Sequence, residues 1–163
     1  MIKYKVVLKK DSWLMRAIGF ILKPFNKTFM THFVTTIGST VYVPRDHFID
    51  DGLLQHELQH ISDSKKWPVL YELSYLFCLP FGFTMRAHWE RRAYRHTIKA
   101  MIKSGYSIEA TEEIVKWLEP NFTGPNYLWM DLRKKKVRAW ILDEIENVQQ
   151  GRAVETIEAV RVQ

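Results

Sequence analysis

The sequence predicts an α+β fold, in which a few short strands come first and helices form most of the remaining chain. Residues 33–37 and 40–43 are rich in β-branched and aromatic side chains, and Gly38-Ser39 between them suits a tight hairpin turn. After the hairpin, the chain shows helical patterns that Gly and Pro interrupt. With 163 residues, of which 47% are apolar, the chain can bury the core of one compact domain.

Two elements are predicted before the hairpin. The first is a short strand over residues 4–8. The second is an amphipathic helix over residues 12–22, with Ser12 as its N-cap and Pro24 just beyond its end.

Five further helices are predicted after the hairpin. The first runs from about Leu53 to Asp63, with Asp50 or Asp51 as its N-cap and Pro68 beyond its end. The other four are expected over residues 71–78, 84–103, 107–118 and 127–148. We therefore expect a single domain over residues 1–151, followed by a C-terminal tail over residues 152–163.

Composition limits the kinds of site that the chain can build. Its net charge of +6 favours acidic partners without selecting one of them. Cys78 is the single cysteine, which excludes an intrachain disulfide and a cysteine-rich zinc module. Any zinc ion must therefore be held by histidine and carboxylate side chains.

Two apolar stretches bear on the location of the protein. Residues 13–22 are too few to span a bilayer, and residues 67–83 are interrupted by Glu72 and by prolines. We expect the second stretch to pack beside the motif helix described next. Because no signal peptide or spanning helix is evident, the sequence predicts a cytoplasmic protein.

The most informative segment runs from His56 to His60 and has the pattern H-E-x-x-H. On a helix, residues four apart lie on one face, so both imidazoles can bind one ion. Glu57 borders that face, where its carboxylate can reach a metal-bound water without binding the metal. The other side of the helix carries an apolar stripe, formed by Leu54, Leu58 and Ile61. A buried helix of this kind argues against two ordinary surface histidines.

This segment resembles the zinc-binding helix of the zincin metallopeptidases. Metzincins continue with a glycine and a further ligand at positions that are Asp63 and Lys66 here, so the chain does not follow the metzincin pattern. Gluzincins take their third ligand from a glutamate on a following helix. Glu90 is the candidate, because residues 89–94 resemble the aromatic-Glu-x-x-Ala-Tyr pattern of small bacterial and phage zincin-like proteins. Arg92 departs from that pattern, in which many members carry an acidic residue.

The resemblance covers about residues 33–94 and implies a minimal zincin-like domain. It implies that His56, His60 and Glu90 bind Zn²⁺, and that Glu57 is the general base for hydrolysis of peptide bonds. His88 is the alternative third ligand, since an imidazole binds zinc well and lies two residues before Glu90.

The resemblance also implies roles for residues around the centre. Thr40, Val41, Tyr42 and Val43 are expected to form an edge strand that pairs with an extended substrate, although an ordinary buried hairpin strand fits the same residues. Asp63 and Asp131 are candidates to orient the imidazoles. Candidates to hold an oxyanion are His96, Tyr94, Tyr106 and Tyr127.

Other functions stay open at the level of sequence. They are hydrolysis of another amide, as in a cell-wall peptide, a zinc-binding module without turnover, and a membrane or nucleic-acid protein with an incidental motif. The intact Glu57 argues against the module, because a structural zinc needs no general base. We expect a protein or peptide substrate and no stable nucleic-acid partner. Peripheral membrane contact, association with a virion and the oligomeric state are left open.

Overall fold

The computed structural model describes residues 1–24, 26–46, 48–76, 83–105, 111–125, 129–152 and 155–162. Over these residues the chain forms a small mixed sheet and a larger set of helices, which confirms the predicted α+β fold. The strands are β1 (Ile2–Leu8), β2 (Thr35–Ile37), β3 (Thr40–Val43) and β4 (Ala159–Arg161). The helices are α1 (Trp13–Leu22), α2 (Phe29–His32), α3 (Asp51–Lys66), α4 (Leu70–Leu76), α5 (Phe83–Lys103), α6 (Thr111–Thr123) and α7 (Lys134–Gln149).

The four strands of the described sheet lie in the order β2-β3-β1-β4. The predicted hairpin is confirmed: β2 and β3 are antiparallel, and Gly38 in the turn has a φ of 58°. β1 runs parallel to β3 on one side and to β4 on the other. The predicted tail therefore contributes a strand to the sheet that begins with β1.

The sheet order overturns the edge role predicted for Thr40, Val41, Tyr42 and Val43. These four residues form β3, which pairs with β2 on one side and with β1 on the other. The backbone groups of β3 are thus already used within the sheet and do not present an edge to a substrate. The structure agrees with the alternative prediction for these residues, an ordinary strand inside the sheet.

Both predicted N-caps are confirmed. The Ser12 side chain accepts a hydrogen bond from the Met15 N–H at the start of α1. At the start of α3, the Asp50 carboxylate accepts one from the Leu53 N–H at 2.8 Å. Asp50 is therefore the N-cap of α3, and Asp51 is its first helical residue.

Two helix boundaries differ from the prediction. The helix expected from residue 127 begins at Lys134, because Trp129 has a φ of 51° and the Asp131 carboxylate accepts from the Arg133 N–H in a turn. α6 continues through Pro120, where an end was expected, and this continuation places Phe122 fully in the core. Packing of Phe122 offsets the hydrogen bond that a proline removes from a helix. Residues 77–78, 107–110 and 127–128 of the predicted helices lie outside the described residues.

The helix that carries the motif lies between two apolar clusters. On one side, Leu58 and Ile61 pack with Val41 and Val43 of the sheet. The second cluster joins α5, α6 and α7, and Leu118 is one of its fully buried members. The motif helix thus packs against the sheet on one side and against α5 on the other. This packing buries the middle of the helix on all sides.

α3 and α5 approach each other closely at Gly52. A Cβ atom on this residue would lie 2.5 Å from the Cβ of Ala100, closer than real carbon atoms come. Glycine at this position therefore permits the helix spacing on which the site described below depends.

The described part of the apolar stretch 67–83 packs beside α3, as predicted. Ser64 of α3 donates a hydrogen bond to Glu72 of α4, and the Tyr71 ring lies 6.3 Å from the His60 ring. None of the helices that the structure describes is both long enough and apolar enough to cross a membrane.

Candidate metal centre

Three side chains from two helices converge at one buried point. His56 and His60 lie one turn apart on α3, and their Nε2 atoms are 3.2 Å apart. Glu90 of α5 brings Oε2 to 3.6 Å from the Nε2 of His56 and 3.8 Å from that of His60. All three residues are buried, with exposures of 6%, 5% and 2%.

These distances suit one small cation. A tetrahedral zinc ion with bonds of about 2.1 Å places its ligand atoms about 3.4 Å apart. The three measured separations of 3.2, 3.6 and 3.8 Å lie around this value. Two imidazole nitrogens and one carboxylate oxygen are also the donor set that a catalytic zinc site uses, since they leave a fourth position open.

The protonation state of His56 supports a cation rather than a proton between the two imidazoles. Two imidazole nitrogens this close need a positive group or a hydrogen between their lone pairs. Burial lowers the pKa of His56 well below its ordinary value, and the charges of His60 and His96 lower it further. His56 is therefore neutral near pH 7, which is the form that binds a metal.

His88, the alternative third ligand, lies away from this group. It is exposed and packs its ring against Trp89 at a centroid distance of 5.1 Å. Two residues along a helix turn the side chain by about 200°, so His88 and Glu90 point to opposite sides of α5. The structure thus places Glu90, and not His88, beside the two histidines.

Glu57 lies next to the histidine pair and is itself buried, with an exposure of 5%. The Thr36 hydroxyl of β2 donates a 2.6 Å hydrogen bond to its Oε2 atom and so fixes the carboxylate. Burial raises the pKa of Glu57 above its ordinary value. A carboxylate with a raised pKa is a better proton acceptor, which suits the role of general base.

The hydrogen bonds around the centre differ from those predicted. Thr97 of α5, and neither Asp63 nor Asp131, contacts the imidazole of His56, with 3.2 Å between its Oγ1 and the Nδ1 of His56. When Nε2 binds a metal, Nδ1 carries the proton and donates it to this hydroxyl. Asp131 instead binds the guanidinium groups of Arg91 and Arg133.

Asp63 joins the two ligand-bearing helices through a polar network beside the centre. Its carboxylate accepts two 3.0 Å bonds from the Arg92 Nε and one from Gln59. Gln59 in turn accepts from His96, whose pKa burial lowers to about 4. Arg92, which departs from the pattern of the proteins that the sequence resembles, thus provides the cation for this buried aspartate.

Two of the four candidates for an oxyanion-binding group, His96 and Tyr94, lie among the described residues. His96 bonds to Gln59, and Tyr94 packs edge-on against the His56 ring at 4.6 Å while its hydroxyl accepts from Asn121. Tyr106 and Tyr127 lie outside the described residues.

Sequence reasoning missed Lys9, a fully buried lysine near the centre. Its ammonium donates a 2.8 Å hydrogen bond to the Phe29 carbonyl and lies 3.5 Å from the centre of the Phe29 ring. Burial lowers the pKa of Lys9 to about 7, while the negative charge of Glu57 opposes this shift. Lys9 lies in a basic N-terminus with Lys3, Lys5 and Lys10, and nothing in this sequence signals that Lys9 alone turns inward.

Lys9→Met is expected to stabilise the protein more at low pH than at high pH. Between pH 7 and 10, unfolded Lys9 holds a proton that the folded state has released, so wild-type stability falls as pH drops and stays reduced below about 7. The stability difference between variant and wild type should shrink by on the order of 2 kcal/mol from pH 6.5 to 9.5. Urea unfolding at both pH values measures it.

The exposed neighbour Lys10 offers a matched control for this experiment. Lys10→Met should change stability by a similar small amount at both pH values. A Lys9→Met variant with an equally flat pH response would show that the buried amine does not titrate in this range.

Comparisons of the chain with protein-family models, with curated proteins and with solved structures find no match. The assignment of the site therefore depends on the motif and on the geometry given above.

Proposed function

We propose that the chain is a zinc-dependent metallopeptidase, in which His56, His60 and Glu90 bind the ion and Glu57 is the general base. The observation that carries the proposal is the convergence of the three donor atoms beside a separately held, buried carboxylate. A structural zinc site has no need of that carboxylate, and this favours an enzyme over a binding module.

The chemistry divides between the ion and the side chains. Zinc, when bound, supplies Lewis acidity that activates water near neutral pH and polarises a carbonyl. Glu57 accepts the proton of the attacking water and delivers it to the leaving amine, while Thr36 holds the carboxylate in place. Thr97 orients the His56 ring through Nδ1.

An extended peptide has a place to bind beside these groups. β2 is the outer strand on this side of the described sheet, and its Thr36 contacts Glu57 directly. A substrate strand paired with β2 would therefore run next to the general base. In this proposal β2 takes the role that the sequence suggested for β3.

Metal content and hydrolysis test the proposal together. The chain purified without added metal should contain about one zinc per molecule by elemental analysis, because the described residues build one such cluster. It should cleave members of a peptide library, and removal of the metal with a chelator should stop cleavage until zinc is restored. A protein with neither zinc nor zinc uptake would contradict the proposal, whereas zinc without hydrolysis would favour the binding module.

A further inference from the structure

The positive charge of the chain is concentrated at its N-terminal end. Residues 1–45 contain eight basic residues and one acidic residue, Asp11. The other 118 residues contain 16 basic and 17 acidic residues, so they are nearly neutral. The net charge of +6 thus belongs to one segment, and that segment attracts an anionic partner.

α1, within this segment, presents apolar side chains to solvent. Trp13 is 73% exposed, Phe20 is 81% exposed and Ile21 is 67% exposed. Phe20 and Ile21 lie seven and eight residues after Trp13, so all three side chains lie on one face of the helix. The fully buried Met15 lies on the opposite face. An ordinary surface helix carries polar residues on its outer face, and this one carries its largest apolar residues there.

A basic groove adjoins the apolar face. It lies between α1 and α2, has a volume of about 350 Å³ and includes Arg16, Lys23 and Lys27 in its lining. Phe20 borders the same groove, so cationic and apolar groups meet along one side of α1. The residues that line the groove include no acidic side chain.

We propose that α1 is an interfacial helix that docks the protein on an anionic phospholipid bilayer. Trp13, Phe20 and Ile21 would insert among the acyl chains near the headgroups, and Arg16, Lys23 and Lys27 would bind phosphate groups. A helix of ten residues is about 15 Å long and lies in the plane of the interface.

The same features argue against other occupants of this face. A second copy of the chain would bring two sets of Arg16, Lys23 and Lys27 together with no acidic side chain in the groove to offset them. A nucleic-acid duplex would use the cations, but its stacked bases would gain little from an exposed Ile21 and Phe20. A bilayer with anionic headgroups satisfies both the charge and the apolar area.

Vesicle flotation tests the proposal without any need for enzyme activity. Wild-type protein should float with vesicles of equimolar phosphatidylcholine and phosphatidylglycerol, and far less with phosphatidylcholine alone. The double variant Phe20→Ser/Ile21→Ser should bind the anionic vesicles at least about tenfold more weakly. Arg16→Ala/Lys23→Ala should also bind them more weakly, with the loss largest at low salt.

Matched variants on α7 and just before it separate this surface from general stickiness. Leu132→Ser removes another exposed apolar side chain, and Lys135→Ala/Lys136→Ala removes two exposed cations. Both should float like wild type, with circular dichroism confirming that every variant is folded. Absence of wild-type flotation on anionic vesicles would overturn the proposal, as would an equal loss in the α7 controls. If light scattering instead shows a dimer that only Phe20→Ser/Ile21→Ser breaks, the face is a self-interface and the lipid proposal is wrong.

Discussion

Glu90→Gln is expected to weaken zinc binding by more than about a hundredfold. This loss is larger than the loss expected for a residue that only hydrogen-bonds to a metal ligand. Glu90 is 2% exposed and its Oε2 lies within 3.8 Å of both histidine nitrogens. The amide keeps the size of the side chain but removes the negative charge that a dication requires. Competition with a chromophoric chelator measures the affinity of the folded variant.

His88→Gln is the matched control, since it changes a residue of the same helix on the opposite side. Because His88 is exposed and lies outside the three-residue group, zinc affinity should stay within about threefold of wild type. The reverse result, in which His88→Gln loses zinc and Glu90→Gln retains it, would assign the third ligand to histidine and contradict the geometry described here.

Glu57→Gln is expected to lower the rate of peptide hydrolysis by about 10²- to 10⁴-fold while the protein keeps its zinc. The amide accepts the Thr36 hydrogen bond through its oxygen but cannot take a proton from water. Because Glu57 lies outside the three-residue ligand group, metal content should not change. Rates on a cleaved library peptide and elemental analysis of the same sample provide the two readouts.

Glu113→Gln, on the exposed side of α6, controls for the loss of one carboxylate. It should leave both rate and metal content unchanged. If the Glu57→Gln variant cleaves at the wild-type rate, Glu57 is not the general base, whatever the metal content.

The local parts of the site could be predicted from the sequence, because they depend on spacing along one helix. His56 and His60 lie four residues apart, which fixes their shared face before any tertiary contact is known. The Asp50 cap is local in the same way. Glu90 is 30 residues beyond His60 and meets it only through the packing of α3 on α5, so its prediction depended on a family resemblance.

Sheet order could not be predicted, because it depends on pairings between distant segments. β1 lies between β3 and β4, and nothing in the residues of β3 shows that both of its edges are paired. The burial of Lys9 is non-local for the same reason: its partner carbonyl belongs to Phe29, twenty residues away. Threonines such as Thr36 and Thr97 carry no motif, and their contacts appear only when strand and helix meet.

The ion pair between the buried Asp63 and the partly exposed Arg92 has a consequence for how the candidate centre would take up a metal ion. This pair, with Gln59 and His96, joins α3 to α5 by bonds that involve no metal. The three candidate ligand atoms are therefore preorganised, and an incoming ion would have little conformational entropy to remove from the chain. Small zinc domains that fold only around their ion behave in the opposite way. In the proposed centre the binding free energy would go into affinity rather than into folding, so an ion could leave and return while the helices keep their places.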